Sequence, residues 1–177
     1  MSLSPEPLTF HGSGFSTWHA YDPSCKAELW STAYFSGDST ILFDPIDWPK
    51  ETPPPSGSIW IVKTNTNHDR NCAVLTQSFS IQLSNLPSEF RPIPLPGGGE
   101  RETAYWHETS STIVVGDALI NLPPKGLTLL PEKYCTDPSL LKINLRLLLD
   151  LPIQRIFFAH GAPILHDGRS QIRTLPL

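Results

Sequence analysis

The stretch TNTNHDR, residues 64–70, is the most informative part of this sequence. It follows the apolar run SIWIV (58–62) with one lysine between them. A short, nearly all-apolar run of this kind predicts a β-strand in a sheet that is buried on both faces. Two amides, a histidine, an aspartate and an arginine therefore lie just past a strand end. Loops at strand ends commonly hold ligands in layered α/β folds, so the stretch predicts a ligand site.

Three other predicted strands also end in residues of a metal-ligand type. Asp44 follows ILF, Asp117 follows STIVVG, and His160 follows RIFFA. One such strand end carries little weight, but four in one chain form a pattern. We therefore expect these strand ends to contribute to a common site.

The other segments predict strands first and helices later, which is typical of an α/β layered domain. Two hairpins are expected, ELWSTAYF with STILFDP (28–45) and ETAYWHE with STIVVGD (102–117). A short helix of about two turns is expected within 71–82, and a longer one within 136–152, where Asp137 or Ser139 caps the first turn. A last short helix is expected within 167–175.

Composition narrows the classes of function. The chain has 177 residues, 39% hydrophobic content and a net charge of −4, which suits one globular domain. No basic run is present, so nucleic-acid binding is not expected. No segment reads as a signal peptide or a membrane span, and three widely spaced cysteines favour reduced thiols, so we expect a cytoplasmic protein without membrane partners.

The order of these motifs resembles the metallo-β-lactamase fold superfamily over nearly the whole chain. ILFDP matches the family's early strand ending in aspartate, VVGDAL matches its Gly-Asp motif, and FFAHGAPI matches its final histidine motif. The resemblance implies Asp117 as the bridging aspartate and His160 as the last ligand. It also implies a four-layer αββα sandwich, here as a single compact domain over residues 1–177.

TNTNHDR occupies the place of the family's Thr-His-x-His-x-Asp-His signature. Asn65 and Asn67 stand at the first two histidines, Asp69 matches the aspartate, and Arg70 stands at the last histidine. The family's later Gly-His step falls near GGGERETAYW, most simply with Glu100 in place of the histidine. An amide is a poor zinc ligand and a guanidinium repels cations, so no metal is expected. Asp69, Asp117 and His160 remain as candidates for a single Zn²⁺, Mn²⁺ or Fe²⁺ ion.

We hypothesise that Arg70 supplies the positive charge that zinc supplies in relatives, between Asp69 and Asp117. If Arg70 is not fully engaged there, it favours an anionic small molecule as ligand. The candidate ligand-binding residues are then Asn65, Asn67, Arg70 and Glu100, together with Trp48 in the loop after Asp44. Trp48 and the proline-rich loops would also fit a homodimer.

Four functions remain open from the sequence. The first is a metal-free or metal-poor small-molecule binder or pseudoenzyme. The second is a hydrolase with one metal on Asp69, Asp117 and His160. The third is a metal-independent hydrolase or isomerase with His68 or His160 as base and Arg70 as anion anchor. The fourth is a scaffold, with the pocket filled and an interface elsewhere. For His68 the alternative to a substrate contact or base is a loop histidine bonded to a backbone carbonyl, and Cys72 is expected to be a small core residue.

Overall fold

The structure is a computed structural model that describes residues 3–82 and 86–177. The chain divides into two compact units. The first unit comprises residues 1–63 and 68–86, and the second unit comprises residues 64–67 and 87–177.

The first unit contains a five-stranded sheet followed by one short helix. Its elements are β1 (Thr9–Gly12), β2 (Phe15–Asp22), β3 (Ala27–Ser36), β4 (Ser39–Phe43), β5 (Ser58–Val62) and α1 (Cys72–Ser78). The strands lie in sequence order, antiparallel from β1 to β4, with β5 parallel to β4. A core built around Trp18, Ala33 and Leu42 covers one face of this sheet.

The parallel pair in the first unit sets the position of Asp44. Phe43 is in register with Val62, so the residues after β4 and after β5 leave the same edge of the sheet. The Asp44 N–H donates to the Val62 carbonyl at 2.9 Å, which extends the pairing by one residue.

The second unit contains a four-stranded sheet, a hairpin and two helices. Its elements are β6 (Phe90–Pro94), β7 (Thr103–His107), β8 (Thr112–Val115), β9 (Leu119–Leu122), β10 (Gly126–Leu129), α2 (Pro138–Leu147), β11 (Arg155–Phe158) and α3 (Gly168–Arg173). The sheet order is β11-β8-β7-β6, in which only β11 and β8 are parallel. Leu145, Ile113 and Ile156 lie in its fully buried core.

Both predicted hairpins are confirmed as β3–β4 and β7–β8. The helices are confirmed as well, and α2 begins at Pro138 with Asp137 as its N-cap. Helix α1 ends at Ser78, because Phe79 is already extended and Ile81 bridges to Ile59 of β5. No helix in the described ranges combines the length and apolar character needed to cross a bilayer.

The predicted burial of SIWIV on both faces is wrong. Only Ile59 of β5 is buried, and the other four residues are half-buried. The reason is that β5 is the last named strand of its sheet, with a single bridge to Ile81 beyond it. Strands β1, β2, β6, β9 and β10 were not predicted from the sequence.

Candidate functional site

Asp44, at the end of β4, is the centre of a buried polar group in the first unit. Its backbone has a φ of 47°, a left-handed conformation that is uncommon for residues other than glycine. Its carbonyl accepts hydrogen bonds from Ser31 Oγ at 2.8 Å and from Arg70 Nη1 at 2.7 Å. Backbone and side-chain donors thus hold this turn in place.

The Asp44 carboxylate pairs with His68. Asp44 Oδ2 lies 2.9 Å from His68 Nδ1, and both side chains are almost fully buried. A carboxylate accepts hydrogen bonds, so Nδ1 carries the proton in this pair. In the neutral imidazole Nε2 is then the nitrogen that can accept a proton. The partner of His68 Nδ1 is therefore a carboxylate and not the backbone carbonyl expected for a loop histidine.

Arg70 is engaged by backbone carbonyls. Its Nη1 donates to Trp30 at 2.6 Å and to Asp44 at 2.7 Å. The Asp69 carboxylate, 71% exposed, lies 3.2 Å from Lys63 Nζ. This pairing corrects the hypothesis that Arg70 bridges Asp69 to Asp117, because Asp69 pairs with Lys63 at the surface while Arg70 turns toward buried carbonyl oxygens.

Asn65 organises a second polar group, which lies in the second unit. Its Nδ2 donates to Glu102 Oε2 at 2.9 Å and to Asp117 Oδ2 at 3.0 Å. Its Oδ1 accepts from the Asn67 backbone N–H at 2.9 Å. The Asn65 amide therefore faces two carboxylates with its donor group, and the Asn67 side chain itself is exposed.

Glu102 is the buried glutamate after the glycine run, whereas the sequence analysis placed Glu100 in the position of the family's histidine. Glu102 is only 2% exposed, and its Oε1 accepts from the Ala118 N–H at 3.1 Å. Glu100 is exposed and contributes its backbone carbonyl to the Thr66 N–H and hydroxyl. A signal for Glu102 was present in the sequence, because strand periodicity places it on the same side as the buried Ala104 and Trp106.

Asp117 and His160 meet because β8 and β11 are parallel neighbours. Val115 and Phe158, the last residues of these strands, are in register. Asp117 and His160 each lie two residues after the end of their strand, at the same end of the sheet. Asp117 Oδ1 lies 3.2 Å from His160 Nε2, and both side chains are 18% exposed. This pair is the accessible part of the polar group in the second unit.

Gly116 is required by close packing beside this group. A Cβ atom at this position would lie 2.3 Å from Thr64 Oγ1 and 2.6 Å from Glu102 Oε1. A larger residue would therefore displace the buried Glu102 carboxylate.

Two other predictions concern side chains near Asp44 and Arg70. Trp48 packs edge-on against Trp18 and Phe79, with ring centroids 5.2 and 6.1 Å away, and so belongs to the packing of the first unit. Burial raises the pKa of the Cys72 thiol to about 11, which agrees with a core residue and not with an activated thiolate.

The signature residues do not fit a zinc ion held by three histidines. Asn65 directs N–H donors at Asp117, and its only acceptor oxygen is bonded to a backbone N–H. Arg70 carries a positive charge, and the Asp69 carboxylate is exposed to solvent and pairs with Lys63. Asp117 and His160, 3.2 Å apart in the second unit, are of residue types that can hold a divalent ion.

The structure is similar to solved metallo-β-lactamases, although the sequence matches no family model and no curated protein. FIM-1 from Pseudomonas aeruginosa, in its mono-zinc form, has a TM-score of 0.71 at 13% identity, covering 97% of this chain and 93% of FIM-1. The metallo-β-lactamase from Erythrobacter litoralis has a TM-score of 0.65 at 12% identity, covering 93% and 89% of the two chains. That from Pontibacter korlensis has a TM-score of 0.61 at 12% identity, covering 95% and 97%.

Identities this low establish the fold and leave the chemistry to the residues of the chain itself. The chain has the metallo-β-lactamase fold, of the αββα class that its sequence predicted.

Proposed function

We propose that this chain is a small-molecule-binding protein with the metallo-β-lactamase fold that acts without a tightly held zinc ion. The observation that carries the proposal is the Asn65 amide, which donates to both Glu102 and Asp117.

The N–H donors of the Asn65 amide compensate the negative charges of Glu102 and Asp117, as a bound cation would. A buried carboxylate is costly unless donors compensate it. Glu102 receives the Ala118 N–H on one oxygen and the Asn65 amide on the other. Asp117 receives the Asn65 amide on Oδ2 and faces His160 with Oδ1. These donors stabilise the group without an ion.

Metal content of untagged protein, purified without chelator, tests the proposal. The protein is analysed by mass spectrometry as isolated and after incubation with Zn²⁺, Mn²⁺ or Fe²⁺. We expect trace metal only, with no difference between wild type, Asp117→Asn and His160→Ala. One equivalent of a single metal, lost in both variants, would overturn the proposal and support the metal-dependent hydrolase that uses Asp117 and His160.

A metal-independent hydrolase is the second candidate, and the His68–Asp44 pair favours it. In such a reaction His68 Nε2 takes a proton from water while the water oxygen bonds to the carbonyl carbon of an ester. The imidazolium that forms is stabilised by the Asp44 carboxylate, and its proton then passes to the leaving alcohol.

Turnover of activated esters in the presence of EDTA tests this second candidate. We expect hydrolysis that EDTA leaves unchanged and that His68→Gln lowers by about 10²- to 10⁴-fold. His19→Gln is the matched control, because His19 also pairs with a carboxylate, Glu28 at 2.9 Å, but is partly exposed. Equal activity in His68→Gln and wild type would rule out His68 as the base.

A further inference from the structure

The structure assigns Arg70 as a positioning residue that, together with Ser31, holds Asp44 so that His68 keeps its proton on Nδ1. The inference deepens the second candidate function and rests on it for its meaning in catalysis. It concerns contacts within the first unit only.

Asp44 has a strained backbone, with a φ of 47°. A non-glycine residue with positive φ persists only where its surroundings over-determine the conformation. Here the Asp44 N–H is bonded to Val62, and its carbonyl accepts from both Ser31 and Arg70. Ser31 Oγ also accepts the Ile46 N–H at 3.0 Å, so the same hydroxyl holds both sides of the turn.

The turn is linked to the imidazole of His68 through the Asp44 side chain. The Asp44 side chain leaves the backbone at the turn, so the direction of its carboxylate depends on the turn being held. Its Oδ2 lies 2.9 Å from His68 Nδ1 inside the buried part of the unit. A loosened turn would move the acceptor away from Nδ1, and the imidazole would lose the partner that selects its tautomer.

Arg70 holds the Asp44 turn better than an uncharged residue would. Arg70 itself has a φ of 38°, and its Nη1 reaches the carbonyls of Trp30 and Asp44 together. One charged donor thus ties β3 to the residue after β4, two chain segments next to each other in the sheet. Hydrogen bonds from charged donors are roughly twice as strong as neutral ones. The position therefore requires a long cationic donor and not merely a polar residue.

The tautomer of His68 is the direct readout, measured by long-range ¹H–¹⁵N correlation on ¹⁵N-histidine protein in EDTA, at a pH where the imidazoles are neutral. We expect wild-type His68 to carry its proton on Nδ1. In Arg70→Met the Nδ1–H population should fall by more than half, and Arg70→Lys should restore most of it. Ser31→Ala should produce a smaller loss, because the Arg70 hydrogen bond remains.

Lys63→Met is the matched control. It removes a cation from the same loop, one that pairs with Asp69 and not with Asp44, so the His68 tautomer should not change. An Arg70→Met protein that folds and keeps His68 on Nδ1 would overturn the inference. If Arg70→Met does not fold, a Ser31→Ala protein with an unchanged His68 tautomer would overturn it in the same way.

The experiment separates this inference from the two functions. A wild-type His68 protonated on Nε2 would contradict the Asp44–His68 pair itself. The protein could show the expected tautomer changes in the Arg70 variants and still hydrolyse no ester. Arg70 would then remain a positioning residue, and only the proposal that His68 acts as a catalytic base would be removed. Metal content does not enter, because EDTA is present throughout.

Discussion

At the scale of single residues, the Asn65 amide shows how one side chain changes the chemistry of a site. Its orientation follows from its partners, since carboxylates only accept hydrogen bonds and a backbone N–H only donates one. The donor end must therefore face Glu102 and Asp117, and the oxygen must face Asn67. A histidine at this position could offer a ring-nitrogen lone pair to a cation, whereas the amide turns its N–H donors toward both carboxylates.

Asn65→Asp tests whether the amide N–H donors stabilise Glu102 and Asp117. The change removes two N–H donors and places a third carboxylate beside Glu102 and Asp117. In EDTA we expect a loss of about 3–5 kcal/mol of stability, as when a buried charge loses its partner, or a fall of roughly 10 °C in Tm for a chain of this length. Added Zn²⁺ or Mn²⁺ should recover part of that loss, as differential scanning fluorimetry will show.

Asn67→Asp is the control for this change, because it alters an exposed side chain two residues away. Its effect should stay within about 0.5 kcal/mol. An Asn65→Asp protein as stable in EDTA as Asn67→Asp would contradict the importance of the amide donors.

At the scale of elements, helix ends and strand ends supply the informative local features. The N-terminus of α2 is the clearest case, since the sequence left Asp137 and Ser139 as alternative caps. In the structure Asp137 Oδ1 accepts from the Leu140 N–H at 3.0 Å, with Pro138 in the first turn. The cap of α2 is therefore Asp137.

Asp137→Ala should lower the free energy of unfolding by about 0.5–2 kcal/mol, as loss of an N-cap does. Ser139→Ala should have almost no effect, because Ser139 does not cap the helix. Urea denaturation of both variants measures the difference. A larger effect of Ser139→Ala than of Asp137→Ala would assign the cap to the serine instead.

Cys72, the first residue of α1, should make the stability of the protein depend on pH. A helix N-terminus favours a thiolate, but burial acts against it, and the pKa of Cys72 rises from 9.0 to about 11. The folded thiol keeps its proton over the range in which the unfolded thiol loses it. The stability that comes from keeping the buried Cys72 thiol protonated is fully present below pH 9 and is lost as the pH rises from 9 to 11.

Urea denaturation of wild type and Cys72→Ala at intervals across this range tests the direction. The stability advantage of wild type over the variant should shrink between pH 9 and pH 11. Cys25 and Cys135 are present in both proteins, so their titration cancels from the comparison. An advantage that stays constant with pH would show that the Cys72 thiol is not perturbed.

At the scale of the whole molecule, each of the two units has its own sheet, its own apolar core and its own buried polar group. The polar group of each unit is satisfied by protein donors, Ser31 and Arg70 in the first and Asn65 in the second. An ion that binds the folded state stabilises it by RT ln(1 + c/Kd), where c is the free ion concentration, so removal of the ion lowers Tm. The donor sets here predict a molecule whose stability does not depend on metal.

Thermal unfolding with and without EDTA checks this expectation for the intact chain. If the proposed metal-free function is right, we expect Tm to change by less than about 1 °C, because removing metal then takes nothing from the folded state. A fall of several degrees in EDTA, reversed by one particular metal, would contradict it. The same scan on Asn65→Asp serves as the metal-responsive comparison.

Sequence by itself determined the features that depend on neighbouring residues. Strand-end motifs located Asp44, Asp117 and His160, and local capping rules located α2. Together these motifs predicted the fold that the structural likeness to metallo-β-lactamases confirms. Each of these signals lies within a few residues along the chain, where backbone geometry and side-chain chemistry are readable directly.

Only the tertiary structure decided which side chains meet. Asn65 bonds residues 37 and 52 positions away, and Arg70 bonds carbonyls 40 and 26 positions away. The same contacts give Glu102, which strand periodicity places on the buried side, its partners Asn65 and Ala118. The physical reason is that a side chain's partner depends on strand register, which is set by the packing of distant segments.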